Sequence, residues 1–183
     1  MARYVELGRH TDSDGEVMSP LRLYLDQNYL SGIAKRKPAF RELVPVLRQA
    51  INLGAVSVAE STVHERESLP RPDLGLLELL RELSGGQHLP TGPHSAVRRA
   101  QRRMRWTIEH ELPERAARPS DEADLDALSL ALVHCDLVTC DAFMADVVRR
   151  TRLDVCHRCE LFTGRLPDVE RLRDRLRELS SGT

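Results

Sequence analysis

Apolar residues recur along this chain with two periods. Residues 21–26 (LRLYLD) alternate and stop on an acid, as a strand does, and residues 55–59 (AVSVA) read as a second strand. Between them a short helix is expected over 27–34, interrupted by Pro38. Phe40, Leu43, Val44, Leu47 and Ile51 then repeat at helical spacing, predicting an amphipathic helix over 39–53 closed by Gly54. Pro45 inside that run predicts a kink or an early break. Further helices are expected from Ser61 or Thr62 to Leu69, over 74–83 and over 95–112.

The segment 121–143 (DEADLDALSLALVHCDLVTCDAF) organises the remainder. It reads as a helix, a tight turn and a short strand that stops on Asp141. The helix is apolar on several sides, yet its first turns carry Asp121, Glu122, Asp124 and Asp126. Asp124 shares an inward face with Leu128 and Ala131, whereas Asp126 lies about 200° round the helix. A helix over 142–151, a last strand over 153–156 and a charged, solvated helix over 167–179 complete the expected elements. Strands alternating with helices give an α/β fold, a three-layer α/β/α sandwich with a mainly parallel central sheet. The expected organisation is a polar lead-in over 1–20 followed by one domain over 21–183.

Composition narrows the function. A net charge of −1 over 183 residues excludes a globally basic nucleic-acid binder, so any such contact must come from a local patch. Lys35 and Lys37 are the only lysines among 27 basic residues, which a GC-rich coding bias explains. No apolar run approaches the roughly 20 residues of a membrane helix. The first 20 residues lack an apolar signal region, so the expectation is a cytoplasmic protein with four reduced cysteines. Cys156-His-Arg-Cys159 has the spacing of half a zinc site, but Cys135 and Cys140 do not form the second pair.

Acids stand at three strand ends: Asp26, the stretch 60–67, and Asp141. No glycine-rich turn follows Asp26, no phosphate-binding G-x-x-x-x-G-K-[ST] loop occurs, and G-x-S-x-G is absent. Position 28 is Asn, where a phosphoaspartyl hydrolase would carry a second acid. Carboxylates gathered without basic partners repel one another unless a cation joins them, so an oxygen-ligand site for Mg2+ or Mn2+ is expected. Structural roles compete for the same residues. Asp26 suits a helix N-cap, Thr62-Val-His-Glu65 matches a capping box, and the Asp121 and Asp124 carboxylates favour a helix N-terminus through its dipole.

The series Tyr24-Leu-Asp26-Gln-Asn28, Ser61-Thr-Val-His-Glu65, Asp124 with Ala131, and Val138-Thr-Cys-Asp141 resembles PIN domains, over about residues 21–160. These are small metal-dependent nucleases, many of them ribonuclease toxins of toxin–antitoxin pairs. The resemblance implies a PIN-like fold and an Mg2+/Mn2+-dependent ribonuclease cleaving single-stranded RNA. It implies catalytic and metal-binding roles for Asp26, Glu65, Asp124 and Asp141, with Asp121 as a further metal ligand, and leaves Glu67 as an alternative to Glu65. An antitoxin protein and a homodimer are the partners it suggests. The stretch 70–119 is longer than in the compact toxin form and reads as a helical insertion. Two other functions fit the same residues: a non-catalytic PIN-like module binding RNA or protein, and a structure-specific DNA nuclease.

The insertion carries the one dense basic patch, Arg98, Arg99, Arg102, Arg103 and Arg105, followed by the sole tryptophan, Trp106. Arg98, Arg102 and Arg105 share a helix face that could track an RNA backbone while Trp106 stacks on a base. The structural alternative is a solvated helix with Trp106 in the core.

Overall fold

A computed structural model of the chain describes residues 10–11, 17–68, 75–90, 94–114, 118 and 120–182. Near its start, β1 (His10–Thr11) pairs antiparallel with β2 (Val17–Met18), and the rest of the expected lead-in lies outside the described residues apart from 19–20. The main sheet holds β3 (Leu21–Tyr24), β4 (Val56–Val58), β5 (Leu137–Cys140) and β6 (Glu160–Thr163) in the order β4-β3-β5-β6. Every pairing in it is parallel. All four residues of β5 are buried, as expected of a strand flanked on both sides and covered on both faces.

Alternation along the strands sorts side chains onto two cores. Leu23, Leu25, Leu137 and Phe162 face one side, with α1 (Gln27–Ala34), α2 (Leu43–Asn52), α4 (Leu76–Ser84) and α9 (Leu166–Ser181). Tyr24, Val138, Cys140 and Leu161 face the other, with α5 (Ser95–Glu111), α6 (Asp121–His134) and α7 (Ala142–Thr151). The described parts of 70–119 thus serve both layers, α4 on one face and α5 on the other.

Two expectations shift. The helix expected from 39 divides into a 3-10 turn (Pro38–Phe40) and α2. Pro45 sits in the first turn of α2, where a missing N–H costs nothing, so it permits an early break and needs no kink. The strand expected over 153–156 is instead a short helix, α8 (Leu153–His157), between Arg152 and Arg158, both left-handed with φ of 54° and 56°. Val155 is 60% exposed there, so the apparent alternation had no second buried residue. The last strand is β6, whose adjacent Leu161 and Phe162 are buried in opposite cores and therefore show no polar alternation.

Gly32 in α1 lies directly against the Phe40 ring. A Cβ built there would stand 2.6 Å from the Phe40 ring, which packs edge-on against Tyr29 at 5.2 Å. Alanine would gain up to about 1 kcal/mol in helix propensity. The overlap with a buried, wedged ring dominates, because overpacking costs about 1–3 kcal/mol. Gly32→Ala should therefore lower the urea midpoint; an unchanged or raised midpoint would show that Phe40 yields freely. Among the described residues no helix is long and apolar enough to cross a membrane.

Candidate active site

Asp26 and Asp141 follow β3 and β5, neighbouring parallel strands, at the sheet edge where α/β folds bind ligands. Each caps the helix that follows, and their backbones match: φ −70°, ψ 167° at Asp26 and φ −71°, ψ 167° at Asp141. The Tyr29 amide donates to Asp26 Oδ1 at 3.0 Å and the Met144 amide to Asp141 Oδ1 at 2.6 Å. Thr139, one strand over from Asp26, accepts from the Asp26 amide at 2.7 Å and donates to Asp26 Oδ1 at 3.1 Å. Asn28 Nδ2 donates to Asp26 Oδ2 at 3.1 Å. Capping and chemistry do not exclude each other at Asp141, whose second oxygen takes no hydrogen bond from the described residues.

Asp124, on the first turn of α6, completes the group. Burial pushes its carboxyl up to about 6; the charge of Asp141 adds to this, a Ser120 hydrogen bond opposes it, and Asp121 and Asp26 add further. Burial likewise raises Asp26, against hydrogen bonds from Tyr29, Asn28 and Thr139, and Asp141 adds repulsion. Four of the five expected ligands therefore act on one another electrostatically, with the Asp141 charge raising both Asp26 and Asp124. Asp121 also accepts from the Arg118 amide at 2.8 Å. Asp126 lies outside the group, accepting from Gln101 Nε2 at 2.6 Å.

Glu65 is the exception. It lies on α3 (Thr62–Ser68), exposed, without a hydrogen bond or ion pair to the described residues, and it contributes to neither Asp26 nor Asp124. The expected Thr62–Glu65 capping box is displaced by one residue. The Ser61 amide donates to His64 Nδ1 at 3.1 Å, so His64 takes the capping position and Glu65 stays free of it. The Glu67 side chain lies outside the described residues. Among the described residues, no three His, Cys, Asp or Glu side chains are arranged to hold a metal as they stand. The cysteines are free; Cys135, Cys140 and Cys159 are buried and Cys156 is exposed, in keeping with the reduced thiols expected. Burial pushes the Cys135 and Cys159 thiols up to about 12, and raises Cys140 too.

His64 is a positioning element. Its Nδ1 accepts from Ser61, so Nε2 carries the proton and donates to the Leu25 carbonyl at 2.8 Å, immediately before Asp26. The ring stacks on Tyr24 at 4.8 Å, and burial holds its pKa below 6.5. The unfolded chain therefore binds a proton near 6.5 that the folded chain refuses. This contribution to stability is complete above pH 6.5 and is lost as pH falls below it. His64→Gln should flatten the acid limb of the stability–pH curve; an unaltered limb would assign it elsewhere.

Ser120 carries no motif that singles it out for this site, and Thr139, although it lies in the Val138-Thr-Cys-Asp141 stretch, was assigned no role from the sequence. Thr139 did leave a signal, because a polar residue in an otherwise apolar, fully buried strand needs a partner. In the basic helix, Arg98 and Arg102 are exposed, but Arg105 is ion-paired with Glu122 at 2.6 Å. Trp106 is 53% exposed, which overturns a place for it in the core. Comparison with protein-family models, with curated proteins and with solved structures found no match.

Proposed function

We propose that this protein is a PIN-like, Mg2+/Mn2+-dependent phosphodiesterase, a ribonuclease acting on single-stranded RNA. The observation that carries the reading is the meeting of Asp26 and Asp141, at adjacent strand ends, with Asp124 and Asp121 in the first turn of α6, where the neighbouring carboxylates help to raise Asp26 and Asp124. Asp26, Asp124 and Asp141 would hold the metal, with Asp121 beside them. Glu65 is a ligand only if its exposed side chain turns inward. The group suits a hard cation in donor chemistry, although the carboxylates still have to draw together. A bound Mg2+ or Mn2+ would supply activation of water and charge stabilisation on the phosphodiester. The chain's own part is to hold Asp26 through Thr139, Asn28 and the Tyr29 amide, and Asp141 through the Met144 amide.

The toxin function, an antitoxin, a homodimer and a cytoplasmic place follow from the resemblance and the sequence alone. The resemblance extends equally to a structure-specific DNA nuclease. A specific observation favours the non-catalytic module: both strand-end aspartates already serve as N-caps, and Glu65 stands apart. End-labelled RNA and DNA, each with Mn2+ and with EDTA, decide among the three. Metal-dependent RNA cleavage supports the ribonuclease, and cleavage of DNA alone transfers the proposal to that polymer. Neither cleavage nor a metal-induced rise in melting temperature leaves the module.

A further inference from the structure

We infer that the solvent face of α5 is a single-stranded nucleic-acid track whose base-stacking platform is the Trp106–His110 pair. At 100° per residue, Arg98, Arg102, Trp106, Arg99, His110 and Arg103 follow one another across an arc of about 140°. All six are exposed, while Ala100, Met104 and Thr107 on the opposite side are buried. The two rings lie parallel, 4.7 Å apart with 12° between planes, and the His110 imidazole is tied by Nδ1 to the Trp106 carbonyl at 2.9 Å. An indole held open in this way offers an ordered flat surface to water, which a soluble helix has no packing reason to keep.

The charges point the same way. On α9 the arginines are neutralised: Arg171 by Asp168, Arg173 by Glu42 and Asp174, Arg175 by Glu160 and Glu178, Arg177 by Asp174. On α5, Arg98, Arg99, Arg102 and Arg103 have no carboxylate partner among the described residues, and Glu109 is the acid on their arc. Unpaired guanidinium groups beside an exposed aromatic pair suit a flexible polyanion with accessible bases. A duplex keeps its bases stacked inside and would leave the indole unused.

The helix also leads to the acids. Gln101 bonds Asp126 and Arg105 bonds Glu122, so α5 runs antiparallel to α6. Its Trp106 end therefore lies beside the first turn that bears Asp121 and Asp124, and its Arg98 end about 12 Å further off. Arg105 is spent on fixing this register. The inference deepens the nuclease proposal and rests on it only for the fate of the bound strand.

Trp106 is the only tryptophan, so its fluorescence reports on the platform alone. Short oligo(U) and oligo(dT) would be titrated in EDTA at low salt, with inorganic polyphosphate and a duplex for comparison. Both single strands should quench the emission, and polyphosphate should bind without quenching it. By anisotropy of labelled oligo(U), Trp106→Ala should weaken binding roughly ten- to hundred-fold. Arg102→Ala with Arg103→Ala should reduce the slope of log affinity against log salt by about 0.7 per arginine. Binding with unchanged fluorescence, quenching by polyphosphate, stronger binding of the duplex, or no response to either oligomer would each overturn the track. The Asp26→Asn protein separates the two proposals. If it binds and quenches although the wild type cleaves nothing, the track stands without the nuclease; metal-dependent cleavage with no quenching leaves the nuclease without the track.

Discussion

Replacing Asp141 or Asp26 by Asn should abolish metal-dependent cleavage while leaving the fold intact. Altering groups that merely orient metal ligands costs about 10–100-fold, so loss of a ligand charge should exceed about 100-fold in rate. Stability should move the other way. Asn caps a helix about as well as Asp, so the bonds from the Met144 and Tyr29 amides survive the change. Like-charge repulsion disappears with the carboxylate, so the metal-free variants should melt at or above the wild-type temperature. Ala in place of Asp141 removes charge and cap together and should cost about 1 kcal/mol. Single-turnover cleavage and thermal melts, run on all three variants, provide the check. Asn variants that cut RNA at the wild-type rate would end the assignment of these acids, as would Asn variants that unfold.

The second large effect is the coupling of metal to pH through Asp124. Its carboxyl titrates at about 6 in the folded chain, against 3.8 for the free side chain. Below 3.8 it is protonated in both states and makes no difference; above about 6 it is charged in both, and folding bears the whole cost of burying that charge. In EDTA its contribution therefore rises as pH falls through 6, opposite in sign to that of His64. A bound cation reverses the balance. Mn2+ at a hundred times its Kd should add about 2.7 kcal/mol of stability at neutral pH. Below about pH 6 the metal must displace a proton, so its Kd should rise about tenfold per pH unit, and Asp124→Asn should weaken that dependence to what the raised Asp26 carboxyl still contributes. Calorimetric titration between pH 5 and pH 8 settles the matter. A flat profile would mean that Asp124 does not meet the metal.

Much of this architecture was legible because strand ends and helix starts carry local signals. Asp26 and Asp141 each stop an apolar run and open a helix, so position and capping chemistry both pointed to them. Asp124 was legible from its spacing to Leu128 and Ala131, which are buried as expected. Glu65 misled because a capping box one residue earlier, built with an imidazole in place of a carboxylate, satisfies the same helix end. β6 escaped because burial in both cores erases period-two contrast, whereas α8 carried a chance alternation of Leu153 and Val155 in which only Leu153 is buried. The partnership of Thr139 with Asp26 joins residues 113 positions apart, and no local pattern encodes such a contact.

That last distance bears on how the molecule is made. The central strand pair, β3 with β5, joins the first third of the chain to the last third, so its closure is among the least local events in folding. A chain emerging from the ribosome can form α1 and α2 early, but the Asp26 carboxylate meets Thr139 and Asp141 only after most of the polypeptide exists. The acidic group is thus among the last features of the fold to be assembled.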